Sequence, residues 1–223
     1  MISHPIPGAS SVLTSFHVRE KLLGHRCAII WMTGLSGAGK STLAEGLQRR
    51  LLDRRVLATI IDGDALRKGL SKGLGFSAQD RRENIRRASE VALQLAQAGA
   101  VVIVALISPF RDDRALAAQR AKEEGVGFAE VFVNAPLAEC ERRDPKHLYR
   151  RARSGRLPSF TGIDSPYEPP LAPALEVRTD LQSIEASLRD LVRLSEWLTS
   201  STPAKSPNTG EAARVENQAS RTT

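Results

Sequence analysis

The stretch "GLSGAGKST", residues 34 to 42, constrains this chain more than any other. It follows "CAIIWMT" (27 to 33), a continuous apolar run of the kind that a strand buried on both faces needs, and it leads into "STLAEGLQRRLLD", whose apolar residues recur at helical spacing. Gly34, Gly39, Lys40 and Ser41 satisfy G-x-x-x-x-G-K-[ST] in the strand–loop–helix context that gives the motif meaning. Glycines let backbone N–H groups converge on phosphate oxygens, and the helix N-terminus behind them adds its positive dipole end. Lys40 reaches the β- and γ-phosphates of a bound ATP, and the Ser41 hydroxyl can ligate Mg²⁺. The expected nucleotide-binding set is Gly34, Leu35, Ser36, Gly37, Ala38, Gly39, Lys40, Ser41 and Thr42. An ordinary Gly-rich turn is the bland alternative, and the full spacing outweighs it.

The rest of the chain keeps the same rhythm. Strands are expected at "VLATIID" (56 to 62), "VVIVALI" (101 to 107), "AEVFVN" (129 to 134) and "LEVRT" (175 to 179). Helices are expected between them, one opening at Ser77 as N-cap and closing at Gly99, others near 111 to 124, after Pro136 and over 180 to 198. Such alternation predicts an α/β fold, a parallel sheet of about five strands flanked by helices. Residues 1–24 read as a polar leader with a short helix around "SFHVREKLL", residues 25–198 as the domain, and 199–223 as a disordered tail without aromatics. Residues 144–173 interrupt the rhythm with basic residues early and Pro and Gly later, and read as a structureless lid insertion.

Composition removes several function classes. Hydrophobic residues make up 41% and charged residues 26%, a globular balance, and no apolar run approaches the roughly 20 residues that span a bilayer. The start "MISHPIPGASS" has neither the basic nor the apolar part of a secretory signal, so a cytoplasmic setting is expected. Cys27 and Cys140 have no metal-ligand or CxxC spacing and read as small buried or half-buried thiols in a reducing compartment. The formal net charge of +7 suits polyanionic substrates as well as nucleic acid. With aromatics at 4% and no helix-turn-helix or RNP-like pattern, nucleic-acid binding is not expected. The strand that would carry a GTPase N-K-x-D ends in "NAPL" instead, which leaves a small-molecule kinase.

"IIDGDALRKGL" (60 to 70) is where such a kinase would meet its acceptor. A strand-end acid can hold Mg²⁺ through water or accept a proton from an attacking hydroxyl, and Asp62 and Asp64, separated by Gly63, can divide these tasks. Arg67 shares a helical face with Asp64 and can bind an anionic group. An N-cap acid pair beside a solvated arginine is the competing account.

Five further stretches follow the phosphate loop in order: "DGD", "LGFSAQDRRENIRR", "LISPFRDDR", "DPKHLYRRARSG" and "FTGIDSPYEPP". Together with the loop they resemble the adenylylsulfate kinase (APS kinase) family over roughly residues 25 to 198. The resemblance implies a P-loop fold of nucleotide-kinase type and ATP-dependent phosphorylation of the 3′-hydroxyl of adenosine 5′-phosphosulfate (APS), giving PAPS and ADP for sulfate assimilation. It implies Lys40, Asp62 and Asp64 as catalytic residues, with Ser41, and Asp62 through water, at Mg²⁺. Phe76 and Phe160 resemble the pair that sandwiches the acceptor adenine, and both are expected to be exposed beside their glycines. Arg67 and Arg81 resemble the arginines that bind the phosphosulfate. Asp64, Asn84, Ile107, Ser108, Pro109, Lys146, Thr161 and Gly162 complete the implied APS set. Ser108 matches a position proposed as a phosphorylated intermediate, although direct in-line transfer is favoured because no general base for it is evident. Arg150, Arg151 and Arg153 resemble lid cations over ATP, whereas Arg86 and Arg87 read as a charged helix face. A homodimer and an association with ATP sulfurylase are further implications.

The chain departs from the family pattern at Ala65, where Asn is common after "DGD", and at His147, where Gly is common. Two other functions fit less well: a P-loop kinase of another small hydroxylated acceptor, which would not need the two Phe positions, and a non-catalytic basic nucleotide-binding module.

Overall fold

The computed structural model describes residues 16–200. The tail expected from residue 199 lies, from 201 onward, outside the described residues, as does the leader before 16. In chain order the elements are α1 (Phe16–Leu23), β1 (Ala28–Thr33), α2 (Lys40–Asp53), β2 (Ala58–Asp62), α3 (Gly63–Lys68), α4 (Ala78–Gln97) and β3 (Val101–Ala105). They continue with α5 (Arg111–Glu123), β4 (Gly127–Asn134), α6 (Leu137–Arg143), α7 (Leu148–Arg153), β5 (Leu175–Arg178) and α8 (Ile184–Thr199). The strands form one parallel sheet in the order β2-β3-β1-β4-β5.

The apolar run of β1 is explained by its place. It lies at the centre, paired with β3 on one side and β4 on the other, and all six residues are buried. Successive strand side chains point to opposite faces. Ile30 and Met32 therefore join a core with Leu43 and Leu47 of α2 and Leu188 and Leu191 of α8. Ile29 and Trp31 join a second core with Ile85, Ala88 and Ala92 of α4 and Ala117 of α5. The chain order doubles back around β1, and the carboxyl ends of β1 and β3 open a crevice of the type where parallel sheets bind ligands.

Local signals fix the helix ends that matter. Ser77 Oγ accepts from Asp80 N at 3.1 Å, and Gly99, at φ +107°, turns the chain out of α4. The last helix starts at Ile184 rather than 180, because Ser183 Oγ caps it through Ala186 N and Asp180 is held by Arg178 at 2.8 Å. Cys27 and Cys140 are both buried free thiols. No helix among the described residues is long and apolar enough to cross a membrane.

The insertion over 144–173 corrects an expectation, since it is not structureless. It contains α7, and Leu148, Tyr149 and Ala152 pack against the α2–α8 core. Asp144 caps that helix, its two carboxylate oxygens accepting from Tyr149 N and Arg150 N at 3.1 Å each. The competing Pro and Gly residues lie further on, where the chain is irregular but still bonded, as at Gly162 N to Ser165 O (2.8 Å).

Candidate functional site

The phosphate loop is shaped by where its carbonyls go. Lys40 Nζ donates to Gly34 O (2.8 Å) and Leu35 O (2.7 Å). Tyr149 of α7 donates its hydroxyl to Ser36 O (2.9 Å), Arg143 of α6 reaches Gly37 O (3.3 Å), and the Thr179 hydroxyl donates to Ala38 O (2.8 Å). Five consecutive carbonyls are thus held by side-chain donors, two by Lys40 of the loop itself and three from outside it, an arrangement that leaves backbone N–H groups for an anion. Gly34 is required here: at φ +152° an added Cβ would stand 2.2 Å from Val133 O. Gly39, at φ +104°, is the left-handed residue from which α2 starts. Burial pulls the Lys40 ammonium down to about 8, and a phosphate beside it would reverse that shift.

Asp62 combines two of the alternatives read from its sequence. Its Oδ1 accepts from Asp64 N (2.9 Å) and Ala65 N (3.4 Å), capping α3, while Oδ2 accepts from the Ser41 hydroxyl at 3.2 Å. A hydroxyl and a carboxylate side by side at a phosphate loop form the oxygen donor set that a hard divalent cation takes. Asp64 turns away from that pair and meets the Lys146 ammonium, which arrives from the insertion.

The acceptor wall gathers around α3 and α4. Arg67 lies over the Phe76 ring, 4.3 Å from its centroid, and donates to Leu74 O and Gly75 O at 3.2 and 3.0 Å. Arg81 donates to Phe76 O (3.0 Å) and Ser159 O (2.5 Å), which ties α4 to the insertion. Both guanidinium groups thus spend their hydrogen bonds on backbone carbonyls rather than on a carboxylate. Burial lowers the pKa of each, and the charge of Arg67 adds to the effect at Arg81, so an anion between them would be well placed. Asn84, one turn along from Arg81, is buried with its Oδ1 unpartnered. Arg86 and Arg87 pair with Glu83 on the helix surface, as their bland reading predicts.

A single cavity of about 790 Å³ joins these parts. Lys40, Ser41, Asp62 and Asp64 line it with Arg67, Phe76, Arg81, Asn84, Lys146 and Phe160, and the segment Ile107–Ser108–Pro109 forms its floor. Ser36, Gly37, Gly39 and Thr42 contribute the donor end. Phe160 corrects an expectation: Phe76 is 46% exposed but Phe160 only 6%, because its ring packs edge-on against Tyr149 at 5.0 Å. Thr161 and Gly162 stand outside the lining, Gly162 fitted against Leu35. Gly34, Leu35 and Ala38 also lie behind it. Arg150 and Arg153 open on a separate cleft of about 300 Å³, with Arg153 paired to Glu141 at 2.6 Å. Arg151 lines the main cavity.

Ser108 has an unusual setting. It is 1% exposed, has a left-handed backbone at φ +46°, and its Oγ accepts from Trp31 Nε1 at 3.0 Å. His147 is also left-handed, at φ +53°, directly before α7, a conformation that glycine adopts more freely. Ala65 is exposed and contributes only its backbone N–H to the Asp62 cap.

Arg143, Thr179, Gln182 and Ser187 line the donor end and were not singled out from the sequence. Thr179 had a usable signal, since it ends a parallel strand at the carboxyl edge of the sheet. Arg143 had none, because its role comes from the meeting of α6, the phosphate loop and Thr179.

Comparison with known proteins points the same way. The family model for adenylylsulphate kinase matches residues 26–178. The adenylyl-sulfate kinase of Bacillus licheniformis is 48% identical over 185 residues, 83% of this chain and 91% of that protein. That of Pseudomonas aeruginosa is 49% identical over 186 residues, 83% and 92% of the two chains. The Mycobacterium tuberculosis APS kinase, solved in complex with AMPPNP and APS, superposes with a TM-score of 0.74 at 48% identity, over 77% of this chain and 98% of that one. With a matching family model across the sheet and its site, and half-identical relatives of similar length, the chain belongs to the adenylylsulphate kinase family.

Proposed function

We propose that the protein transfers the γ-phosphoryl group of ATP to the 3′-hydroxyl of APS, giving PAPS and ADP. The observation that carries this reading is the single cavity in which the phosphate loop at one end faces Asp64, Arg67, Phe76, Arg81 and Asn84 at the other. Backbone N–H groups of the loop and Lys40 bind the transferring phosphates. Ser41, and Asp62 through water, are the residues that would hold Mg²⁺, whose contribution when bound is to neutralise charge on the phosphate oxygens. Asp64 accepts the proton of the attacking hydroxyl, and Lys146 orients its carboxylate until the acceptor arrives. Arg67 and Arg81 take the phosphosulfate, and the open face of Phe76 takes the adenine, with Phe160 closing the site from the core side. Asn84 Oδ1, buried and without a partner, gains a donor from the acceptor. Thr161 and Gly162 act from behind, by seating Phe160. Arg151 supplies lid charge from within the cavity, and Arg150 and Arg153 approach ATP only if α7 shifts.

Transfer is direct. The Ser108 hydroxyl is engaged by an indole N–H, a donor that provides no base to activate it. A cytoplasmic homodimer that supplies PAPS to sulfate assimilation, in association with ATP sulfurylase, extends the same reading, and family membership supports it. Mixing the protein with ATP, Mg²⁺ and APS should release ADP and form PAPS in equal amounts. ADP release that does not depend on APS, or none at all, would refute the assignment. Sedimentation of the purified chain with and without ATP sulfurylase tests the assembly.

A further inference from the structure

We propose that Arg114, a residue of α5 outside the cavity, is a positioning residue that holds the cavity floor in register for the acceptor. The proposal rests on the function given above and deepens it at one wall of the site. Arg114 is 2% exposed, and a buried guanidinium is retained only where its donors are satisfied. Its three nitrogens reach three different segments. Nη1 donates to Ser108 O at 2.6 Å, Nε to Glu130 Oε1 of β4 at 2.5 Å, and Nη2 to Glu168 O at 2.8 Å. One rigid planar fork thereby joins the segment that follows β3, strand β4 on the far side of β1, and the far limb of the lid insertion.

Ser108 is the residue that needs such a hold. A non-glycine residue in the left-handed region persists only where its surroundings over-determine it, and Ser108 is fixed from two sides. Trp31 Nε1 grips its hydroxyl from the second core, and Arg114 grips its carbonyl, which accepts a longer bond of 3.3 Å from the Thr33 hydroxyl as well. The same limb is zipped alongside, since Glu168 N donates to Pro109 O and Glu168 Oε2 accepts from Arg111 N, both at 2.8 Å. Ser108 and Pro109 line the cavity and Arg114 does not, so Arg114 acts through them. If the fork is lost, the floor relaxes toward an ordinary backbone conformation. The acceptor is then displaced while the phosphate loop, built on β1 and α2, is untouched.

Arg114→Lys keeps the charge beside Glu130 but removes the fork, and steady-state constants for ATP and for APS are measured separately alongside thermal melting. The expected result is a loss of about 10- to 100-fold in kcat/KM for APS, from misplacement of the acceptor, with the KM for ATP unchanged. Equal losses toward both substrates, or a loss that only follows the folded fraction, would overturn the inference and leave Arg114 a structural ion pair. Should Arg114→Lys fail to fold, Trp31→Phe removes the grip on the Ser108 hydroxyl and should lower kcat/KM for APS by about fivefold, the worth of one hydrogen bond, again sparing ATP. Normal APS kinetics in that variant would likewise overturn it. A wild-type protein without APS-dependent turnover would instead refute the function itself, so the two failures are separable.

Discussion

The two ends of the cavity are built by different means. The donor end is built around one run of consecutive residues, Gly34 to Thr42, with Arg143 and Thr179 beside it, and its working groups are backbone amides and Lys40. The acceptor end takes side chains from α3, the turn at Phe76, α4, the end of β3 and the insertion. Its groups are held by one another: Lys146 by Asp64, Phe76 under Arg67, and Arg81 on Ser159 O. A loop of amides recognises any nucleoside triphosphate, because every triphosphate offers the same oxygens. A wall of assembled side chains can be specific, and it can also be altered one residue at a time.

If the two ends are separable, substitutions should divide by substrate. Asp64→Asn keeps the shape of the acceptor wall and removes the proton acceptor proposed above; kcat should fall by about 10²- to 10⁴-fold, with ATP affinity retained by calorimetry. An Asn variant with wild-type kcat would end the role given to Asp64. Lys40→Met at the donor end should lower kcat by about 10²- to 10³-fold, through lost charge stabilisation, whatever the APS concentration. Phe76→Ala should weaken APS binding by about 1–3 kcal/mol, the worth of one stacked base, and leave the KM for ATP in place. Stability should not change much, because Phe76 is half exposed.

The pH dependence sharpens the comparison on the donor side. Lys40 in the free protein sits near 8, below its ordinary value, and bound phosphate raises it. ATP binding therefore takes up a proton at and above about pH 8, and affinity should fall as pH rises through that range, by at most about tenfold per unit. Calorimetry in buffers of different ionisation enthalpy reads the proton directly. For folding the sign is opposite: the unfolded chain binds this proton more tightly, so the burial penalty of Lys40 is full below about 8 and is relieved as pH rises toward 10.5. The smallest effect is expected from Phe160→Leu, which should cost about 1 kcal/mol of stability through the lost edge-on contact with Tyr149. A melting temperature unchanged in that variant would show that Phe160 is not the packed residue it is here.

Much of this architecture was legible before folding. Continuous apolar runs marked β1 and β3, because a strand covered on both faces has no polar side to alternate with, whereas β4 and β5, toward the sheet edge, were marked by shorter and partly alternating stretches. Ser77 and Gly99 marked the ends of α4, because capping and left-handed turns are local chemistry. The lid was misread as structureless, because its helix is only six residues long and depends on Leu148, Tyr149 and Ala152 finding the core. Phe160 was misplaced for a related reason: a glycine neighbour says how the backbone can turn, not what the ring will meet.

Donor chemistry, strand–helix order and the residues from which an acceptor site can be made are all readable along the chain. Each of those is set by groups adjacent along the chain, or by a periodicity that a short window contains. How the pieces face one another is set by folding. It put the donors of Tyr149, Arg143 and Thr179 behind the phosphate loop, paired Asp64 with Lys146, and turned a buried arginine of α5 into the clamp on Ser108. Those contacts join residues 36 and 149, 38 and 179, and 64 and 146, and no local rule brings such distant positions within hydrogen-bond reach.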